Sequence, residues 1–193
     1  MLKFKARIAE LISHNLYLIT HNSRKMFVSE NIIDKVVEQL ETADFEMEIE
    51  RFGKSQPALL GYVFSEDFEL LTREEREYLL YLLIVIWKSI EKIKKDNPVA
   101  VENTSRKNSI DTPSVMSNAL GEAEERNWEL LDEVKETRFR ERMNVFFDDS
   151  DQEDLLAFIE DALMEDDDES VVTKEGREPM FVALKTVVDV LMS

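Results

Sequence analysis

A chain of 193 residues with no cysteine, four glycines and four prolines cannot be a disulfide scaffold or a thiolate metal site. So few turn formers also argue against a many-stranded β fold and for long helices with few connections. Its formal net charge of −18 repels phosphate backbones and anionic membranes, so nucleic-acid binding is not expected and a basic partner suits it better than an acidic one.

The charge is uneven, and it divides the chain into four parts. Residues 1–28, the basic N-terminal segment, sum to +4, with Lys3, Lys5, Arg7, Arg24 and Lys25 against Glu10. Leu2, Ile8, Leu11, Ile12, Leu16 and Ile19 approximate helical spacing and predict a helix over residues 4–21, ended by Asn22 and Ser23. No clean apolar signal core with a small-residue cleavage site follows the first lysines, and a cytoplasmic location is expected. Lys3, Lys5 and Arg7, interleaved with Leu2, Phe4 and Ile8, suit a membrane surface, a partner helix or the acidic body of the same chain. The last is the preferred reading.

Residues 29–96 sum to −7 and read as a first helical repeat. Ser29 is the expected N-cap of a helix whose stripe runs Ile32, Ile33, Val36, Val37, Leu40, then Phe45, Ile49 and Phe52 on a drifting face, until Gly53 stops it. Pro57 opens a short helix with Leu59, Leu60, Tyr62, Val63 and Phe64. Thr72 and Glu75 match a capping box and predict a helix to about Lys95. From Tyr78 to Trp87 it is apolar on every side, which marks it as central, and it is too short to span a bilayer.

Asn97-Pro98 ends that helix, and residues 97–121 read as a neutral polar linker. Residues 122–193 sum to −15 and read as an acidic second repeat. Trp128, Leu131 and Val134 begin a stripe that reaches Phe146 and Phe147. Ser150 and Glu153 match a second capping box ahead of Leu155, Leu156, Phe158, Ile159 and Leu163. Thr173 caps a last helix with Phe181, Leu184, Val187, Val188 and Leu191.

The two halves align. Leu59-Leu60-Gly61-Tyr62-Val63 matches Leu155-Leu156-Ala157-Phe158-Ile159 at an offset of 96, and Thr72-Arg73-Glu74-Glu75-Arg76-Glu77 matches Thr173-Lys174-Glu175-Gly176-Arg177-Glu178 at an offset of 101. The second match holds four identities in six positions. The expected fold is thus an all-α helical bundle: two tandem three-helix repeats packed on the Tyr78–Trp87 helix, behind an N-terminal helix. Lys185 and Asp189 add polarity to the last helix that its counterpart lacks.

Chemistry is thinly marked. Asp149, Asp151, Glu153 and Glu160 fall at positions 1, 3, 5 and 12 of a calcium loop, but Asp154 stands where the turn needs glycine and Leu155 to Ile159 belong on a buried helix face. Glu10, His14 and His21 share a helix face without the spacing of a di-iron bundle. Gly53, Gly61, Gly121 and Gly176 are scattered, so no phosphate-binding loop is present. Trp87, Trp128, Phe139, Phe146 and Phe147 read as core rather than as a recognition surface. No catalytic, metal or cofactor-binding residue is assigned, and the expectation leans away from an enzyme.

The leading functional expectation is a cytoplasmic protein–protein interaction module for a basic partner, a homodimer being one form it can take. Its expected interaction face is Asp148, Asp149, Asp151, Asp166, Asp167 and Asp168, or a groove between the repeats. The alternatives are a small-molecule or metal-binding bundle, enzymatic or not, and an acidic mimic of nucleic acid.

Overall fold

The computed structural model describes residues 26–96, 112–134, 138–164 and 170–193. They form eight α-helices: α1 (Glu30–Glu41), α2 (Phe45–Ser55), α3 (Pro57–Val63), α4 (Arg73–Asp96), α5 (Pro113–Asp132), α6 (Phe139–Asp148), α7 (Glu153–Met164) and α8 (Lys174–Met192). A 3₁₀ turn, Glu66–Phe68, lies between α3 and α4, and no strand occurs among the described residues. The expected all-α bundle is therefore what the chain forms. The helix predicted over residues 4–21 lies outside the described residues. No helix among them is long and apolar enough to cross a membrane.

The core is built on α4 and α8, which lie side by side and run the same way. Their N-terminal ends meet where Thr173 donates to Glu75, and near their C-terminal ends Lys94 Nζ donates to the Leu191 carbonyl at 2.8 Å. That ammonium sits where the dipole of α8 is negative and satisfies a carbonyl with no partner in its own helix. Leu79, Leu82, Leu83, Ile84, Val85 and Ile86 of α4 are buried, as are Met180, Phe181, Val182, Ala183 and Leu184 of α8. The central position predicted for α4 is thus shared with α8.

Around this pair the other helices cross between the halves of the chain. Helix α1 packs on α4 and also on α7, while α5 packs on α8 and also on α3. Helices α3 and α7, which carry the matched Leu59–Val63 and Leu155–Ile159 stretches, therefore each cover a helix of the other half. Helices α2 and α6 pack against α3 and α7 respectively, each with a phenylalanine in its last turn that enters the core: Phe52 against Trp87 at 5.2 Å between ring centroids, Phe146 against Phe181 at 5.5 Å.

Several expected boundaries move, each for a local reason. The single helix expected from Ser29 to Gly53 is two. Thr42 turns its hydroxyl onto the Gln39 carbonyl at 3.2 Å, and Asp44 caps a new helix by accepting from Met47 N–H at 3.3 Å. Gly53 does not stop α2 but lies inside it, where a Cβ would stand 2.9 Å from Leu60 Cδ2, so it permits the close approach of α3. The stop comes at Gln56, whose backbone leaves the helical region (φ −133°, ψ 59°) just before Pro57. Likewise the stripe from Trp128 to Phe147 is divided between α5 and α6. Helix α5 starts with Pro113 in its first turn, so residues 113–121 are helical rather than linker.

The capping sites divide in the same way. Thr72 and Glu75 form the reciprocal box, Thr72 N–H to Glu75 Oε2 at 2.7 Å and Glu75 N–H to Thr72 Oγ1 at 3.1 Å. Thr173 caps α8 by accepting from Gly176 N–H at 3.1 Å. Ser29 occupies the cap position of α1 without a side-chain bond, and Glu30 N–H goes instead to Asp154 Oδ2 at 2.9 Å. Ser150 makes no box with Glu153, because its hydroxyl accepts from Gln152 N–H at 3.1 Å.

Candidate functional site

One face of α1 carries Glu30, Ile33, Asp34 and Val37, and one face of α7 carries Asp154, Ala157, Phe158 and Asp161, each at i, i+3, i+4, i+7 spacing. Because α7 packs on α1, these faces meet across a groove of about 480 Å³ whose floor is Tyr78, Tyr81 and Leu82 of α4. The two tyrosine rings lie nearly parallel, 10° apart with centroids at 6.2 Å, and Phe45 approaches Tyr81 at 5.8 Å. Tyr78 Oη donates to the Ala162 carbonyl at 3.3 Å, which ties the floor to the α7 wall. Burial, with the Glu41 carboxylate adding to it, raises the Tyr81 hydroxyl above its ordinary value, so it stays neutral.

Four carboxylates rim these rings, and no lining side chain is basic. Glu30, Asp34 and Asp161 are exposed; Asp154 is half-buried and holds the first N–H of α1. Like charges close together deepen the local negative potential, and aromatic faces add to it. A lysine or arginine fits such a surface, its stem on the rings and its head on a carboxylate.

Two buried polar centres lie elsewhere. At the N-termini of α4 and α8, the Glu75 carboxylate is nearly inaccessible and serves both helices. Oε2 accepts from Thr72 N–H, while Oε1 accepts from Thr173 N–H at 2.8 Å and Thr173 Oγ1–H at 2.6 Å. Burial pushes this carboxyl up, but the bonds from Thr173 and Thr72 more than offset it and hold it below the usual carboxylate range. In the second centre Lys185 is fully buried, with Nζ donating to Asp189 Oδ1 and Oδ2 at 2.7 and 2.8 Å and facing the Phe146 ring. Asn127 donates to Thr186 Oγ1 and to Asp189 Oδ2, both at 3.1 Å.

The acidic face expected from sequence is only partly within view. Asp148, Asp149 and Asp151 are exposed around the α6–α7 turn, with Asp149 3.9 Å from Lys185 Nζ, whereas Asp166, Asp167 and Asp168 lie outside the described residues. Asp149, Asp151, Glu153 and Glu160 form no calcium loop: residues 153–164 are helical, and Glu160 binds Arg140 at 2.9 Å. No group of three or more histidine, aspartate or glutamate side chains is set to hold a metal among the described residues. Glu10, His14 and His21 lie outside them. Trp87 and Phe146 are core, and Trp128, Phe139 and Phe147 pack against it.

Sequence alone assigns Glu30, Asp34, Asp154 and Asp161 to no common site. Their signal was available in the carboxylates spaced four and seven apart among apolar residues, which put acid beside the buried stripe rather than opposite it. No protein-family model matches the chain, and no curated protein or solved structure matches it.

Proposed function

We propose that this chain is an acidic helical protein–protein interaction module that holds a basic segment of a partner in the groove between α1, α4 and α7. The observation that carries the proposal is the set of four carboxylates around an aromatic floor, an arrangement suited to alternating basic and apolar side chains. A duplicated unit is the proposed origin of the scaffold. The matched stretches at offsets of 96 and 101 support it, as do the reciprocal packing of α7 on α1 and of α3 on α5. The lack of cysteine supports a reducing compartment such as the cytoplasm.

A small-molecule or metal-binding bundle has less support, because the buried charges of α8 already hold each other: Lys185 has both oxygens of Asp189, and Asn127 bonds Asp189 and Thr186 beside them.

Fluorescence polarisation with a labelled peptide alternating lysine and leucine tests the proposal. Binding is expected to weaken as salt rises, and Asp34→Lys with Asp161→Lys to reduce it at least tenfold without unfolding a chain in which both residues are exposed. Affinity indifferent to salt and to both substitutions would remove the groove as the binding site.

A further inference from the structure

We infer that the groove's resting occupant is the chain's own basic N-terminal segment, residues 1–25, which a partner must displace. This rests on the groove reading above and adds its regulation.

Charge is the first reason. The segment carries Lys3, Lys5, Arg7, Arg24 and Lys25 against Glu10, and the groove is rimmed by Glu30, Asp34, Asp154 and Asp161. Composition is the second: Leu2, Phe4 and Ile8 alternate with Lys3, Lys5 and Arg7, so the segment supplies apolar groups for the tyrosine floor and cations for the rim.

Delivery is the third. The described chain begins at Met26, and its backbone there is clamped by a buried glutamine: Gln152 Nε2 donates to the Met26 carbonyl at 2.7 Å, and Gln152 Oε1 accepts from Val28 N–H at 3.1 Å. Gln152 immediately precedes α7, and two residues after Val28 the Glu30 N–H binds Asp154 Oδ2. The segment is thus released at the end of the groove where the N-termini of α1 and α7 meet. From Met26 back to Arg7 the chain has ample length to return along the 12-residue α1, since even helical backbone advances about 1.5 Å per residue.

A tethered occupant has an effective concentration on the order of millimolar. A groove with an intrinsic affinity of about 100 μM for such a sequence would then bind an outside copy roughly tenfold more weakly than an empty groove would.

The experiment uses full-length protein and, as probe, a fluorescent peptide of residues 1–12 added in trans. Four chains are compared: unaltered, Lys3→Glu/Lys5→Glu/Arg7→Glu, Asp34→Lys/Asp161→Lys, and all five changes together. The inference expects the N-terminal reversal to tighten probe binding about tenfold, and the groove reversal to abolish that gain. If the N-terminal reversal leaves affinity unchanged while the groove reversal still weakens it, the segment is not the occupant and the groove reading stands. If the groove reversal has no effect in either background, the groove reading falls and this inference falls with it.

Discussion

Helices α4 and α8 lie side by side in the same direction, yet at the offset that aligns their caps they differ where it matters most. Glu75 of α4 faces Gly176 of α8, and Ile84 and Val85 correspond to Lys185 and Thr186. At the shared N-terminal end there is room for one carboxylate. A Cβ on Gly176 would overlap Glu75 Oε1 and stand 2.8 Å from its Cδ. The residue that breaks the match between the halves is therefore what lets a single glutamate cap both helices. Further along the pair, α4 places the buried apolar Ile84 and Val85, whereas α8 carries at the matching place a buried ammonium held by Asp189. Like helices in like surroundings thus keep their packing role while their polar residues specialise.

The largest break in this comparison is at Lys185. Lys185→Ala takes both Nζ bonds from Asp189, leaving it Asn127 and the Arg126 guanidinium at 3.7 Å, and is expected to cost about 3 kcal/mol in urea unfolding. Lys185→Met with Asp189→Met removes the charge pair as a unit and is expected to cost clearly less than the single change. Equal losses would mean that the charge pair contributes only packing.

The next effect sharpens the comparison at the caps. In most helices Gly→Ala stabilises by close to 1 kcal/mol. Here Gly176→Ala is expected to destabilise by about 2 kcal/mol, because the new methyl displaces a carboxylate from charge-assisted bonds. Glu75→Ala is expected to lose a similar amount, and the double variant less than the sum of the two, as residues sharing one set of bonds require. Additive losses would show that Gly176 and Glu75 act separately.

The smallest effect is in pH. Glu75 is held below its ordinary value of 4.5, as is Glu48, where the hydrogen bond from Lys88 acts first and outweighs burial. A lowered carboxylate contributes its stabilisation above the unfolded value and loses it as pH falls through the folded one. The unaltered chain is thus expected to outlast Glu75→Gln at neutral pH, and the gap to narrow below about pH 4.5. A gap that persists at acid pH would assign the effect to shape rather than charge.

Much of this was legible in the residues. The Thr72 and Thr173 caps, the length of α4 and its burial follow from neighbours within one or two turns, and all three stand in the structure. Local rules failed where a backbone or side chain chose a distant partner. Ser29 had the right place, but its hydroxyl makes no cap bond and the first N–H of α1 goes to Asp154, while the Ser150 hydroxyl accepts from Gln152 N–H and forms no box with Glu153. Gly53 read as a stop, yet it lies inside α2, beside Leu60 of another helix.

The groove shows the same division. Glu30 and Asp34 share a face by the period of the helix, and so do Asp154 and Asp161, which sequence alone dictates. That these two faces meet over Tyr78 and Tyr81 depends on α7 crossing to α1, a choice made by the packing of the whole core. Sequence by itself determined that the chain is helical, the Thr72 and Thr173 caps with the long helices they open, and the sign of the charge, because those depend on residues a few positions apart. Only the tertiary structure decided which carboxylates share a groove and which single glutamate serves two helices, because those pairings join residues about a hundred positions apart, for which no periodicity speaks.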